Sequence, residues 1–209
     1  MAYPSAPWSL NGLALTTLHL LDVDRVRSHI PSELSIVSVL PGKTIGAVYF
    51  SVYTRGSVLE YSELIVAPAV LTHSGKIGSW VSHIYVDNPD SVAGGREIWG
   101  LPKDLAEFTW SNSAVRVSQQ GQELCAFSFQ PTWLQLPEAL QPNLSGLVFT
   151  QLKESLAWFE SQFQGQPTVV SGHLNVPATS PFKQLELGQP FLALSAADLK
   201  LKVKPPQLV

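Results

Sequence analysis

The feature that most constrains this chain is how closely its apolar stretches follow one another. Residues 13–21, 44–54, 59–66, 77–86, 114–117, 123–129 and 191–203 are rich in β-branched and aromatic side chains, and many alternate in polarity. That composition with a period of two belongs to strands. Turn residues separate them: Pro41-Gly42, Arg55-Gly56, Ser74-Gly75, Asn88-Pro89, Gln120-Gly121 and Gly188-Gln189-Pro190. Such pairs stop a strand and reverse it. Parallel neighbours need a long crossover, usually a helix, and no helix separates each pair here. The expected fold class is therefore α+β, mainly antiparallel β, with a few peripheral helices.

Two helices are expected. The first spans about 23–30, with Asp22 or Asp24 as N-cap, Val23, Val26 and Ile30 on one face, and Pro31 as its stop. The second spans about 150–163, because Phe149, Leu152, Leu156, Phe159 and Phe163 recur at spacings of three and four before Gly165. That spacing lines one helical face. A short helix at 91–98 is signalled by Asn88-Pro89-Asp90 and weakened by Gly94-Gly95. Residues 131–142 hold three prolines and read as a long surface loop. With no repeat or linker, residues 1–209 read as a single domain.

Composition narrows the function. Charged residues are 14% and hydrophobic ones 45%, against about 25% charged in an average soluble domain. So much apolar surface must be covered, by a deep pocket or by other subunits, and a homo-oligomer is expected. The net charge is -3 with no basic tract, so neither nucleic acid nor a membrane surface is an expected partner. Lys200, Lys202 and Lys204 alternate with Leu201 and Val203, as on the solvent face of a strand. Cys125, the sole cysteine, lies in an apolar strand context and reads as a small core residue. It and the five histidines lack metal-ligand spacing, so no metal is expected. Nucleotide-binding glycine loops and the Gly-x-Ser-x-Gly elbow are absent too, and no cofactor is expected. The N-terminal residues lack a signal-peptide pattern, and no run of roughly 18 apolar residues occurs. The expected compartment is the cytosol.

One segment stands out. Ile84-Tyr85-Val86-Asp87-Asn88-Pro89 leads into Gly94-Gly95-Arg96-Glu97-Ile98-Trp99-Gly100-Leu101-Pro102-Lys103-Asp104-Leu105. It resembles the acetoacetate decarboxylase family, in which a strand ends in an aspartate-asparagine turn, followed by Gly-Arg-Glu and then Pro-Lys-Lys-Leu. The first lysine of that pair, which forms the family's Schiff base, matches Lys103. Tyr61-Ser62-Glu63 is similar to a tyrosine-x-glutamate segment whose glutamate lines the family pocket. The resemblance implies a cone-like or barrel-like sheet around a closed pocket. It also implies a cofactor-independent lyase acting through Lys103 on a small keto acid or related carbonyl compound.

The chemistry is demanding. An amine attacks a ketone only when neutral, and an ordinary lysine, with a pKa near ~10.4, is almost wholly protonated at neutral pH. Burial or a second cation lowers that value, and acetoacetate decarboxylase is the established example of such activation. Ile98, Trp99 and Leu101 suit burial of Lys103, with Trp99 and Leu101 as substrate contacts beside Tyr61. Arg96 and Glu97 read as braces of the Lys103 loop.

Three departures set this chain apart. Asp104 stands where the family has its second lysine, so activation rests on burial. The family's pocket arginine falls near Asn11 and Gly12 and is missing. One of its two pocket glutamates falls near Ser51, which is expected as a substrate contact in its place, leaving Glu63; Glu60, near a turn, reads as solvent-facing. An aldolase or dehydratase using the same iminium, a non-catalytic protein holding a hydrophobic small molecule, and a structural subunit are the alternatives.

Overall fold

The computed structural model describes residues 3–135 and 144–209. Its strands are β1 (Trp8–Asp22), β2 (Ser35–Ile36), β3 (Lys43–Tyr53), β4 (Tyr61–Ala67), β5 (Val70–His73), β6 (Lys76–Trp80), β7 (His83–Val86), β8 (Lys103–Leu105), β9 (Glu107–Ser111), β10 (Ala114–Gln119), β11 (Gln122–Gln135), β12 (Leu144–Leu152), β13 (Ser155–Gln164), β14 (Pro167–Asn175), β15 (Leu192–Val203) and β16 (Gln207–Leu208). Two α-helices interrupt them, α1 (Val23–Val26) and α2 (Pro89–Trp99). The fold class is α+β with antiparallel pairing dominant, as the strand spacing predicts. Hydrogen bonding runs β2-β5-β6-β12-β13-β15-β1-β3-β4-β7-β8, and β9, β10, β11 and β14 branch from β15. Among the described strands, β6–β12 and β7–β8 pair in parallel.

The long strands β1, β3 and β4 form the centre, and alternation gives them two apolar faces. One face carries Leu15, Leu21, Val48, Phe50, Leu64 and Val66, in a core that also holds Phe127, Leu174 and Phe182. The other carries Trp8, Leu10, Ala14, Tyr53 and Tyr61, which meet Trp99, Phe159, Leu199 and Leu201. Two covered faces account for much of the shortage of charge. Cys125 is fully buried in the first core, where burial pushes its thiol pKa up and keeps it inert. Lys200 and Lys202 are exposed on β15 as expected, whereas Lys204 lies just beyond it and pairs with Glu160 at 2.9 Å. No helix of the described residues is long and apolar enough to cross a membrane.

Several expectations change. The helix expected at 150–163 is the hairpin β12–β13. Lys153 and Glu154 both take positive φ, 52° and 34°, and reverse the chain between the strands. Spacings of three and four on either side of and across that turn imitate a helical stripe, but within β13 Ala157, Phe159 and Ser161 are buried at the strand period. The stretch 77–86 is two strands, β6 and β7, separated at Val81 and Ser82. The loop expected at 131–142 begins as strand, since Pro131 pairs with Val170 in β11–β14; residues 136–143 lie outside the described residues.

The first helix is shorter than its pattern. After Val26 it tightens into a 3-10 turn, Arg27–His29. The Arg27 guanidinium donates to the carbonyls of Ile30, Pro31 and Leu34 and closes the C-terminal end. Asp22 flanks the helix without capping it and instead binds the Lys43 ammonium at 2.7 Å. The short helix signalled at Asn88 is longer than expected and is α2. The Asn88 side chain accepts from the backbone N–H groups of Asp90 and Ser91, and Pro89 occupies the first turn.

Candidate active site

The local chain around Lys103 is built to bring its amine inward. α2 ends at Gly100 in the left-handed region, φ 68°. A Cβ there would sit 2.2 Å from the Gln151 carbonyl oxygen, so only glycine allows both the turn and the approach to β12. Leu101 and Pro102 then lead directly into β8, whose first residue is Lys103. Its side chain runs back across α2 at Gly95, where a Cβ would lie 2.5 Å from Lys103 Cδ. Gly94 admits Trp8 in the same way, with 2.7 Å to the indole. The glycine pair that weakens α2 as a helix is what lets a lysine and a tryptophan pack against it.

Lys103 is 3% exposed. Its Nζ donates to Glu63 Oε1 at 2.8 Å and to Ser91 Oγ at 3.0 Å. The ring of Tyr61 lies 4.9 Å from the nitrogen and that of Trp8 lies 5.7 Å from it. Glu63, also buried, accepts at Oε2 from Tyr53 OH at 3.1 Å. The hydroxyls of Tyr53 and Tyr49 lie 3.3 Å apart, which extends the polar chain. Burial raises the pKa of both Tyr53 and Tyr61, and the Glu63 charge raises them further. Both phenols therefore stay protonated, and Tyr53 remains a donor to Glu63.

These groups open into a cavity of about 490 Å³. Apart from them, its lining is almost wholly apolar or small, from Trp8 and Leu10 to Ala47, Ala67, Phe163 and Leu194. Tyr61, Glu63, Trp99, Leu101 and Lys103, all expected at the site, line it. Ser51 does not: it points to the same side of β3 as Tyr49 and Tyr53 but is fully buried between them. Trp99 is held from behind. Its indole N–H donates to the Lys204 carbonyl, and its own carbonyl accepts from Thr150 Oγ1.

The bracing residues act outside the cavity. Arg96 Nε donates to the Lys103 carbonyl at 2.7 Å, and its guanidinium pairs with exposed Asp104. Asp104 thus faces away from the amine, as neighbouring strand residues must. Glu97 accepts from the hydroxyl of Tyr3. Asp87 accepts from the Ser62 backbone N–H at 2.7 Å, tying the α2 turn to β4 beside Glu63. Glu60 is exposed, as its place near a turn suggests. The charged group on the amine is the Glu63 carboxylate.

Sequence reasoning missed Trp8, Tyr49, Tyr53 and Ser91. A signal existed for the tyrosines, since Tyr49 and Tyr53 flank Ser51 at the strand period. Ser91 lies one helical turn before Gly95, on the face that meets Lys103. Trp8 carried no local signal.

Comparison with known proteins agrees with this fold. The family model described as acetoacetate decarboxylase (ADC) matches residues 1–156. The protein NEOXANTHIN-DEFICIENT 1 of Solanum lycopersicum is 28% identical over 115 residues, covering 55% of this chain and 39% of that protein. The chain spans less than half the length of the curated relatives it matches. Among solved structures, acetoacetate decarboxylase from Legionella pneumophila superposes with a TM-score of 0.79 at 16% identity, covering 100% of this chain and 89% of that one. The enduracididine biosynthesis enzyme MppR complexed with pyruvate superposes with a TM-score of 0.72 at 15% identity, covering 99% and 91%.

Proposed function

This chain belongs to the acetoacetate decarboxylase family, and from that premise we propose that it is a cofactor-independent lyase working through a Schiff base at Lys103. Its substrate is a small keto acid or a related carbonyl compound. The observation that carries this reading is the Lys103 amine, buried inside a cavity with Glu63 at 2.8 Å and Ser91 at 3.0 Å.

The arrangement supports each proton transfer. Glu63 takes a proton from the Lys103 ammonium, and the neutral amine attacks the substrate carbonyl carbon. The carbinolamine then expels water as the proton returns from Glu63, leaving an iminium. Ser91 accepts from the amine and holds it in place. With a β-keto acid, the bond to the carboxylate breaks and its electron pair enters the iminium, giving carbon dioxide and an enamine. The enamine takes a proton at carbon, and water hydrolyses the resulting imine to free the amine. The same enamine also serves aldol or dehydration chemistry. Tyr53, a buried donor to Glu63, keeps that carboxylate oriented between turnovers.

The fold neighbour described in complex with pyruvate supports a carbonyl ligand. A second reading, non-catalytic binding of a hydrophobic small molecule, draws on the apolar lining. Borohydride separates them. Incubation with pyruvate, acetoacetate and simple aldehydes, followed by reduction and peptide mapping, is expected to give an adduct at Lys103 that Lys103→Ala loses. Failure of every carbonyl compound to label Lys103 defeats the lyase reading.

A further inference from the structure

We propose that this cavity takes an aldehyde or methyl ketone bearing a long unbranched apolar tail, entering carbonyl first. The inference rests on the Schiff-base reading above and narrows its substrate class to the carbonyl compounds without a carboxylate, for which the enamine serves aldol chemistry and not loss of carbon dioxide. It comes from the order of residues along the cavity, which strand register makes explicit.

Four alternate rungs across β3 and β4 face the cavity side. Tyr53 pairs with Tyr61, Ser51 with Glu63, Tyr49 with Ile65, and Ala47 with Ala67. On β1 the partners of β3 are Gly12, Ala14, Thr16 and Leu18 in the same order. The polar groups thus sit at the Tyr53–Tyr61 end and the small apolar ones at the Leu18–Ala47–Ala67 end. Burial follows the same gradient. Trp8, Tyr53, Tyr61, Glu63 and Lys103 are buried, whereas Thr16, Leu18, Ala47, Ile65 and Ala67 are partly exposed. The amine stands at the closed end, and the open end is uncharged and, apart from the Thr16 hydroxyl, apolar.

The cavity is long. Alternate residues of β1 line it from Trp8 to Leu18, and residues of β15 line it from Leu194 to Val203. Ten residue steps along a strand amount to ~30 Å, several times the length of a four-carbon keto acid. A volume of about 490 Å³ drawn out over that distance is a slot, not a bowl. Its walls carry no second charge: among the described residues the charged lining groups are Lys103 and Glu63, which neutralise each other, and beyond the tyrosines the other polar ones, Thr16, Ser79, Ser161 and Gln164, are neutral. A substrate carboxylate would find no spare cation, and burying one unpaired is costly. The small residues Ala14, Ala47, Ala67, Ala196 and Gly165 line the passage and leave room for a tail.

The test uses the full chain and a series of straight aldehydes from butanal to hexadecanal, with pyruvate and acetoacetate alongside. Labelling at Lys103 after borohydride is read by peptide mapping. The concentration giving half-labelling is expected to fall about fourfold per added CH₂. Ala47→Trp, or Ala67→Trp if the first melts early, is expected to flatten that dependence for the longest tails. Half-labelling by pyruvate or acetoacetate at lower concentration than by dodecanal would overturn the proposal, and so would a flat response to tail length. Dodecanol, which has no carbonyl, supplies the separate check through quenching of Trp8 and Trp99 fluorescence. Saturable quenching without labelling by any aldehyde would support the slot and defeat the Schiff base. Absence of quenching, or a dimer that buries the slot and excludes dodecanol, would defeat the slot itself.

Discussion

The two faces of β1, β3 and β4 are built from the same strands and serve opposite ends. On one face, Phe50 stacks on Phe127 with ring centroids 6.0 Å apart, and Phe127 stacks in turn on Phe129 at 5.9 Å. Polar groups there are few and paired. Buried His19 bonds the Leu187 carbonyl and Thr17, each at 2.9 Å. The other face leaves a cavity and buries an ion pair at its closed end. The difference shows how a sheet can hold an empty, charged site: dense packing on one side anchors strands whose other side is left unfilled. An enclosed ion pair contributes little net stability once its desolvation is counted.

The largest expected effect lies on the packed face. Phe127→Ala should lower the unfolding free energy by about 4 kcal/mol, the usual cost of emptying an aromatic site in a tight core. Gly172 lies so close to that ring that a Cβ there would be 2.3 Å from it, so the neighbours have little slack with which to collapse. Chemical denaturation measures the change. A loss below about 1 kcal/mol would erase the contrast between the faces.

On the cavity face the expectation is different in kind. Glu63→Leu should cost about 3 kcal/mol, because it leaves the Lys103 ammonium buried without its partner. The double change Glu63→Leu with Lys103→Met should return to within about 1 kcal/mol of the parent, since both charges go together. The double variant should also lose all borohydride labelling at position 103. A cycle of the two single variants and the double one, read by denaturant melts, sharpens the comparison. Additive losses would mean that the pair does not act as a unit.

This contrast explains what the sequence could and could not tell. The packed face follows from alternation in β1, β3 and β4, which short-range pattern captures well. Lys103 and Glu63 were legible through their motif neighbours, and Gly95 and Gly100 beside Lys103 show why: each is needed for the lysine's approach. What pattern could not reach was set by long-range register. Tyr53 meets Glu63 because β3 pairs with β4, and Trp8 meets Lys103 because α2 folds back over β1's end. The β12–β13 hairpin failed for a local reason: two non-glycine residues, Lys153 and Glu154, take the turn conformation that usually signals itself through Gly or Asn.

A smaller change probes the ordering of the cavity's closed end. Tyr53→Phe removes the 3.1 Å bond to Glu63 Oε2 and keeps the ring that packs against Tyr61 at 4.8 Å between centroids. The expected cost is about 1 kcal/mol, the net value of one such bond. Labelling at Lys103 should slow several-fold while tail-length dependence stays as it was, because the tail lies along other rungs. Unchanged labelling would show that Glu63 needs no support from Tyr53.

The smallest effect at neutral pH sits back on the packed face, at His83. Its ring lies 5.5 Å from Phe182 and bonds Ser82 Oγ through Nδ1 at 3.0 Å. Burial, then the nearby His29, lowers its pKa to about 4. The sign follows from which state binds the proton. Below the ordinary value near ~6.5 an unfolded histidine is protonated, while the folded one stays neutral until pH nears its own lower value. Stability from neutral His83 is thus complete above pH 6.5 and is lost as the pH falls toward about 4. His83→Gln should leave the melting temperature at pH 7.5 nearly unchanged and reduce the drop between pH 6.5 and pH 4.5, as followed by thermal melts across that range. An identical drop in the variant would mean that His83 does not set the acid sensitivity.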